Sequence, residues 1–361
     1  YHLILNLLSF FNIFKKKKIF YFFPLKNKSL MDNSIKNNLE VFLKSFEDNN
    51  FEFLKKIITS SLLQYCESQN SLQTDITKII AHLKPKNIFI DQLRFGVATV
   101  IASYCYSKKI NVVLVPHGSI SVPDNEYSKF VLDICSRGLI YSKIANYSVA
   151  QSKISYEAIK YYYKTLNILK SKPLLFGKES LRENLDHKKF TFLHVSTPKS
   201  LSKWPWIYEN YNEYVDNIIE LIESLKNREN VQLVIRFREG PECDLETFKK
   251  LIKVNSNKFV KISTKKNFFE DLSYSNCLIS FSSTSIEEAL FLNKKVLVYS
   301  DKREYKHINY KFKDDNSIIY ADQKNIKEKL STILSDEKKL NYGIQWDEKI
   351  NNVEDLKRFY F

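Results

Sequence analysis

The segment Ile110-Asn-Val-Val-Leu-Val-Pro116 restricts the fold more than any other stretch of the chain. It is apolar and β-branched without alternation, and it stops abruptly at Pro116-His117-Gly118. A strand with no polar face must be covered on both sides, which is the condition of a parallel sheet flanked by helices. Its surroundings fit that reading. Asn87-Ile-Phe-Ile-Asp91 is a shorter apolar run behind Pro85, and residues 95–109 between the two carry a helix pattern rich in small side chains. The alternation then resumes. Strands are predicted at 147–150, 191–195, 231–237, 259–263, 277–281, 295–299 and 317–321. Helices are predicted at 156–166, 213–225, 245–254, 268–274, 286–292 and 324–334.

This pattern predicts an α/β protein of two doubly wound, Rossmann-like domains facing a crevice. The length of 361 residues suits two domains at about 150 residues each. The expected division is an apolar and basic segment at 1–32, a first domain at 33–170, a linker at 171–189, a second domain at 190–340 and a tail at 341–361. Residues 33–85 read as helical and 353–360 as an amphipathic helix. The stretch after Gly118 reads as a loop. Residues 168–189 are Lys-rich, hold Pro173 and Gly177, and show little periodicity. Sheets of this kind take ligands outside the carboxyl ends of their strands.

Composition removes several classes of function. There are 6 glycines in the chain, far below the usual share of about 7%. They stand apart, so neither GxGxxG nor GxxxxGK[ST] occurs, and Walker-type NTPases, kinase glycine loops and GxGxxG dehydrogenases are excluded. The net charge is +15. Arg is scarce beside Lys and no basic helix is interleaved with aromatics, so nucleic acid is not expected as a partner. The abundance of Lys, Asn, Ile, Phe and Tyr also matches the products of A/T-only codons. Five cysteines (Cys66, Cys105, Cys135, Cys243, Cys277) form no CxxC and no cluster with histidine. They read as buried thiols of a reducing cytoplasm, without a metal site or cofactor.

The chain begins at Tyr1, which leaves open whether a first element precedes it. Apolar runs at 1–14 and 19–23 flank Lys15–Lys18. Both are too short to span a bilayer, which takes about 20 residues. Aromatic and leucine residues beside a lysine cluster suit an anionic membrane surface, and a strand and helix joined by a lysine turn suit the same residues equally.

Three strand ends carry candidate chemistry. Ser282-Ser283-Thr284-Ser285 opens a predicted helix, where hydroxyl donors add to free backbone N–H groups and make an anion site without glycine. Glu288, one turn further on, can accept from the two hydroxyls of a ribose. Thr284-x-x-Glu287 and Ser285-x-x-Glu288 also have the spacing of capping boxes, which need no ligand. His117 stands at a sharp strand exit and is the residue type best suited to deprotonate a hydroxyl near neutral pH. Asp91, Asp124 or Glu126 can orient it or act as base instead. Arg236 and Arg238 fall on one side of their strand, where forked guanidinium groups suit a diphosphate. They also suit ion pairs with Glu239 and Glu242. Lys199, Lys203, Trp204 and Trp206 are weaker candidates for phosphate contact and stacking.

These residues resemble a family. The second unit is similar to the nucleotide-binding half of a GT-B glycosyltransferase. VPHGSI at 115–120 and SFSSTSIEEALFLNKKVLVY at 280–299 resemble bacterial surface-polysaccharide enzymes, among them capsule glycosyltransferases, polysialyltransferase-like enzymes and CDP-glycerol glycerophosphotransferases. The likeness covers about residues 86 to 322. It implies donor phosphates on Ser282, Ser283 and Thr284, the ribose on Glu288, and catalysis or acceptor activation by His117. One departure stands out. Where many of these enzymes carry His-Pro, this chain reads Arg236-Phe-Arg-Glu-Gly-Pro241, so Arg236 or Arg238 would have to replace that histidine.

The expected activity is therefore metal-independent transfer of a sugar from a nucleotide-sugar donor to a glycan or lipid-linked glycan acceptor of capsule or lipopolysaccharide type. The expected setting is cytoplasmic, on the inner face of the membrane if the N-terminal lysines engage it. The alternatives are transfer of glycerol phosphate from a CDP donor, nucleotide-sugar 2-epimerisation, and non-catalytic binding of nucleotide or glycan. Epimerisation ranks lower because the HxEAG-like turn expected of such an enzyme is absent after His117.

Overall fold

Two parallel sheets organise the chain. The computed structural model describes residues 73–335 apart from 95, 117, 119, 121, 124–125, 172–184, 186–187, 197, 199–208, 241–242 and 300–317. Residues 73–83 are helical. There follow β1 (Asn87–Ile90), α1 (Val97–Ser107), β2 (Asn111–Leu114), α2 (Glu126–Ser136), β3 (Tyr147–Ala150), α3 (Lys153–Tyr162) and β4 (Asn167–Lys170). These strands form a sheet in the order β1-β2-β3-β4. The second run is β5 (Phe190–Val195), α4 (Tyr211–Leu225), β6 (Val231–Arg236), α5 (Leu245–Leu251) and β7 (Val260–Ile262). It continues through α6 (Phe268–Ser273), β8 (Cys277–Ser280), α7 (Ser285–Phe291), β9 (Lys295–Tyr299), β10 (Ile318–Ala321) and α8 (Ile326–Ser335). Its six strands lie in the order β10-β9-β8-β5-β6-β7, every pairing parallel.

The α/β expectation is borne out, with two local differences. Residues 126–136 form α2 where a loop was expected, so Glu126 opens a helix. Asn167–Lys170, expected within or next to the linker, pairs in register with β3 as a fourth strand. Its sequence Asn-Ile-Leu-Lys is too short and too polar at its ends to show periodicity, and only the neighbouring strand makes it β. The expected segment 1–32 and tail 341–361 lie outside the described residues.

Two compact units divide the chain. Among the described residues one takes 73–88 with Leu93–Val112, and the other takes Phe89–Gln92 with everything from Val113 onward. In the first, the Asn111 side chain donates to Asn87 Oδ1 (2.9 Å). The second holds the six-stranded sheet, the last residues of β1 and β2, and all of β3 and β4. One face of that sheet packs Phe192, Leu233, Ile235, Cys277 and Ile279 against Ile218 and Leu221 of α4. The other packs Leu193, Leu278, Val296 and Val298 against Ile286 and Leu290 of α7. Strands covered on both faces have few positions for polar residues, which is why the sequence shows little alternation there.

Helix ends show how the chain folds with so little glycine. Lys84, Lys109, Asn230, Lys253 and Asn293 adopt left-handed backbone with φ between 45° and 60°. All but Asn230, which sits in the turn before β6, lie just beyond a helix, where glycine is the usual residue. Helix starts follow ordinary rules: Asn210 and Glu213 form a capping box on α4, and Asp244 accepts from the Thr247 N–H on α5.

Candidate functional site

The strand order locates the site. From β5 the chain moves outward through β6 to β7, then crosses back to β8 on the other side of β5 and moves outward again through β9 and β10. Where the direction reverses, the connections leaving two adjacent parallel strands diverge, and open α/β sheets bind ligands in the depression left there. Here that point lies at the carboxyl ends of β5 and β8. The segment leaving β8 is Phe281-Ser282-Ser283-Thr284.

This turn is held from below and from its side. Phe281 is buried with Leu132, Ile140, Ala150 and Ile159 and anchors the segment. The Ser283 carbonyl accepts from the Ile286 N–H (3.1 Å) and its hydroxyl accepts from the Ser285 N–H (3.3 Å). Thr284 is the N-cap of α7, has helical backbone angles and makes no side-chain cap. The Thr284-x-x-Glu287 spacing therefore does not form a capping box. Glu287 instead accepts from Ser152 Oγ at 2.8 Å, across 135 positions of sequence. Two further hydroxyls, Ser280 at the end of β8 and Ser285 at the start of α7, are buried with no hydrogen-bond partner among the described residues.

Glu288 is partly buried one turn into α7. Burial, with the Glu287 charge next to it, pushes its carboxyl up to about 7. Such a group changes charge at neutral pH, a property concentrated at functional sites.

The turn leaving β2 meets the serine-rich turn. A Cβ on Gly118 would lie 2.5 Å from Thr284 Cγ2, so only glycine fits this approach. Gln151, at the end of β3, donates to the Pro116 carbonyl, and the adjacent Ser152 is the hydroxyl bonded to Glu287. His117 itself, and Asp124, Lys199, Lys203, Trp204 and Trp206, lie outside the described residues.

The remaining candidates are placed elsewhere. Asp91 is exposed just past β1. Glu126, in the first turn of α2, is 89% exposed and 3.4 Å from Lys129. Neither makes a hydrogen bond or ion pair with the serine-rich turn. Arg236 ends β6, and its guanidinium is engaged within the fold. It donates to Asp271 Oδ2 (2.6 Å), to the Lys265 carbonyl (3.0 Å) and to the Lys266 carbonyl (3.0 Å). Asp271 also accepts from Ser263 Oγ (2.6 Å). The partner is thus Asp271 on α6; Glu239 instead accepts from the Leu245 N–H (3.2 Å), and Glu242 lies outside the described residues. β6 is separated from β8 by β5, about 10 Å across two strand spacings. Arg238 lies beyond the strand end and is exposed.

Two buried polar groups next to β5 carry no sequence signature. Glu209, just before α4, accepts from Ser196 Oγ (2.6 Å) and from the Asn217 side chain (2.6 Å). His194, 2% exposed, faces Tyr214 at 5.6 Å between ring centroids. Burial lowers its imidazole to about 3, so it is neutral in the fold. Nothing in their spacing distinguishes these residues from surface ones, because their burial depends on α4 folding over β5. Among the described residues no group of three or more His, Cys, Asp or Glu is placed to hold a metal ion, and no helix is long and apolar enough to cross a membrane.

No protein-family profile matches the chain, and neither does any curated protein. Solved structures do. It is similar to the UDP-GlcNAc 2-epimerase of Methanocaldococcus jannaschii, with 16% identity, a TM-score of 0.51, and 81% of this chain covering 82% of that one. The complex of the epimerase from the same organism with UDP-GlcNAc and UDP gives 15% identity, a TM-score of 0.51, and coverage of 78% and 77%. The fold is GT-B. In a GT-B chain the serine-rich turn at β8 stands where the strand order reverses, the place a ligand is expected on general grounds.

Proposed function

We propose that the protein is a nucleotide-sugar enzyme, and specifically a glycosyltransferase that moves a sugar to a surface-glycan acceptor. One observation carries this reading. A turn of consecutive hydroxyl residues lies at the switch point of the six-stranded sheet, with an adjacent carboxyl that titrates near neutrality. The solved structures that share the fold include one described as a complex with UDP-GlcNAc and UDP, and nucleotide sugars are the natural ligand class to test.

In this account Ser282, Ser283 and Thr284 donate to the donor phosphates, and Glu288 accepts from the ribose hydroxyls. Exposed Arg238 supplies a cation, while Arg236 stays with Asp271. His117 removes the acceptor proton as the sugar moves, and the hydroxyl turn stabilises charge gathering on the departing nucleotide. Residues 33–170 would serve the acceptor and 190–340 the donor. The apolar and lysine-rich segment at 1–32 would bring the enzyme to an anionic cytoplasmic membrane face.

A second reading, 2-epimerisation of a nucleotide sugar, is favoured by the activity of the solved epimerases that share the fold. Mass spectrometry after chromatographic separation of the donor epimers distinguishes the two. The purified protein is incubated with nucleotide sugars, with and without glycan acceptors. Transfer releases free nucleotide, enlarges the acceptor and is lost in His117→Ala while nucleotide binding survives. Epimerisation converts the donor to an isomer of unchanged mass with no acceptor present. A product that gains phosphorus would instead indicate glycerophosphate transfer. Full transfer activity in His117→Ala removes the proposed base.

A further inference from the structure

We propose that Ser152 and Glu287 are a positioning pair: their buried hydrogen bond fixes the serine-rich turn against the β3–α3 turn, and this fixing sets the affinity of the turn for a nucleoside diphosphate. The inference rests on the reading of that turn as a nucleotide site.

The choice of partner is the first argument. Glu287 occupies the third position of α7, from which a glutamate ordinarily reaches back to the N-cap N–H of its own helix. It turns away from that local bond, and Thr284 leaves the helix without a side-chain cap. The carboxylate is spent on a residue 135 positions earlier, at 2.8 Å. A capping interaction is worth about 1 kcal/mol, so local stability alone does not account for the arrangement.

Burial is the second. Ser152 is 6% exposed and Glu287 is 4% exposed. A carboxylate removed from water to this extent is tolerated only with hydrogen-bond donors, and the Ser152 hydroxyl is one of them. The Ser152 hydroxyl does two jobs: it accepts from the Ser155 N–H (3.1 Å) to start α3, and its single proton goes to Glu287. A serine fixed on the acceptor side by its own helix is a rigid anchor for the donor side.

The third argument is the neighbourhood. Gln151 holds the Pro116 carbonyl, and Gly118 touches the Thr284 methyl. The dipeptide Gln151-Ser152 therefore ties the turn leaving β2 and the turn leaving β8 to one strand end. Thr284 and Glu287, with buried Phe281, are the residues through which the serine-rich turn is gripped. Ser283, between the gripped residues and the strand, is only partly buried and remains open to a ligand.

The test is calorimetric titration of UDP, CDP and GDP into the wild type, Ser152→Ala, Glu287→Ala, the double variant and Ser152→Thr, with a melting temperature for each without ligand. Arg228→Ala, which removes the bonds from Arg228 to the Lys327 carbonyl (2.9 Å) and Ser331 Oγ (2.8 Å), serves as a destabilised control remote from the turn. The expected result is about a tenfold weaker Kd in each single alanine variant, as for loss of one bond to a charged group. The double variant should be no weaker than the worse single, because one interaction is removed once. Ser152→Thr keeps the hydroxyl and should bind as the wild type. Arg228→Ala should lose melting temperature without losing affinity. Wild-type affinity in both alanine variants, or losses that multiply in the double, overturns the pair. If Ser152→Ala does not fold, Glu287→Gln decides: it keeps an acceptor oxygen, so it should bind within about threefold of the wild type, and a larger loss overturns the inference. No binding of any of the three nucleotides by the wild type overturns the reading of the site and the inference with it.

Discussion

Gly118 and Thr284 approach so closely that a single added carbon on Gly118 would lie 2.5 Å from the threonine methyl. The glycine is required here for space, since it does not have the left-handed backbone angles that favour glycine elsewhere. Gly118→Ala should therefore push Thr284 into another rotamer and displace its hydroxyl, weakening nucleotide binding about tenfold or more with a stability loss of about 1–2 kcal/mol. Thr284→Ser in the same background removes the obstructing methyl and should restore both. Titration calorimetry and thermal melts on the wild type and the two variants check this. Affinity that stays low in the double variant would mean that the steric contact is not the cause.

Glu288 gives the site a pH dependence of known sign. Its folded-state carboxyl sits near 7, above the ordinary 4.5, so it is protonated below neutrality and charged above it. A ribose hydroxyl donates best to the carboxylate. Nucleotide affinity should therefore rise as pH increases from 6 to 8, with protons released on binding below pH 7. Glu288→Gln should bind more weakly at pH 8 and show a flat profile over that range. The linked effect on the unliganded fold has the opposite sense. Because the folded state holds the proton more tightly, this residue contributes stability that is fully present below about pH 4.5 and is lost as pH rises through 7.

His194 predicts acid sensitivity. Its imidazole is held neutral by burial, at about 3 against an ordinary 6.5. The unfolded chain takes up the proton first, so stability is complete above pH 6.5 and falls as pH drops toward 3, by up to about 1.4 kcal/mol per pH unit from this group. Urea unfolding at pH 7, 6, 5 and 4 should show that slope reduced in His194→Gln. An unchanged slope would transfer the acid sensitivity to other groups.

Arg236 and Arg238 should separate cleanly. Arg236→Ala leaves Asp271, 6% exposed, with Ser263 but without its cation, and should destabilise the fold by about 2–3 kcal/mol. Arg238→Ala should leave stability within about 0.5 kcal/mol and weaken nucleotide binding. Denaturation midpoints beside titration data for both variants decide the matter.

The fold was legible in the sequence where strands are covered on both faces. The runs at 110–116, 277–281 and 295–299 are apolar without alternation, and each became a strand. β4 was not legible, because Asn167–Lys170 has no periodicity and becomes a strand only beside β3. In the candidate site, the hydroxyls at 282–284 and Glu288 were identifiable from residue type at a strand end. The partners of Glu287 and Arg236 were not. Both bonds span long stretches of sequence, and the spacing rules that suggested a capping box and Glu239 or Glu242 describe only near neighbours.

Scarce glycine leaves a measurable trace. Lys109 has φ of 59° at the end of α1, where a side chain is strained. Lys109→Gly should stabilise the protein by about 0.5–1 kcal/mol, whereas Lys108→Gly, with φ of −91°, should give no gain. Equal effects of the two substitutions in chemical denaturation would show that backbone strain is not being relieved.

The central claim is that the hydroxyl turn at the reversal point between β5 and β8 binds a nucleotide. It is tested most directly by a thermal-shift panel of CMP, CDP, UDP, GDP and their sugars on the wild type and on a variant with Ser282, Ser283 and Thr284 all replaced by alanine. The account predicts a concentration-dependent rise in melting temperature with at least one nucleotide on the wild type, abolished in the variant. No rise with any of them, or an equal rise in the variant, would contradict it.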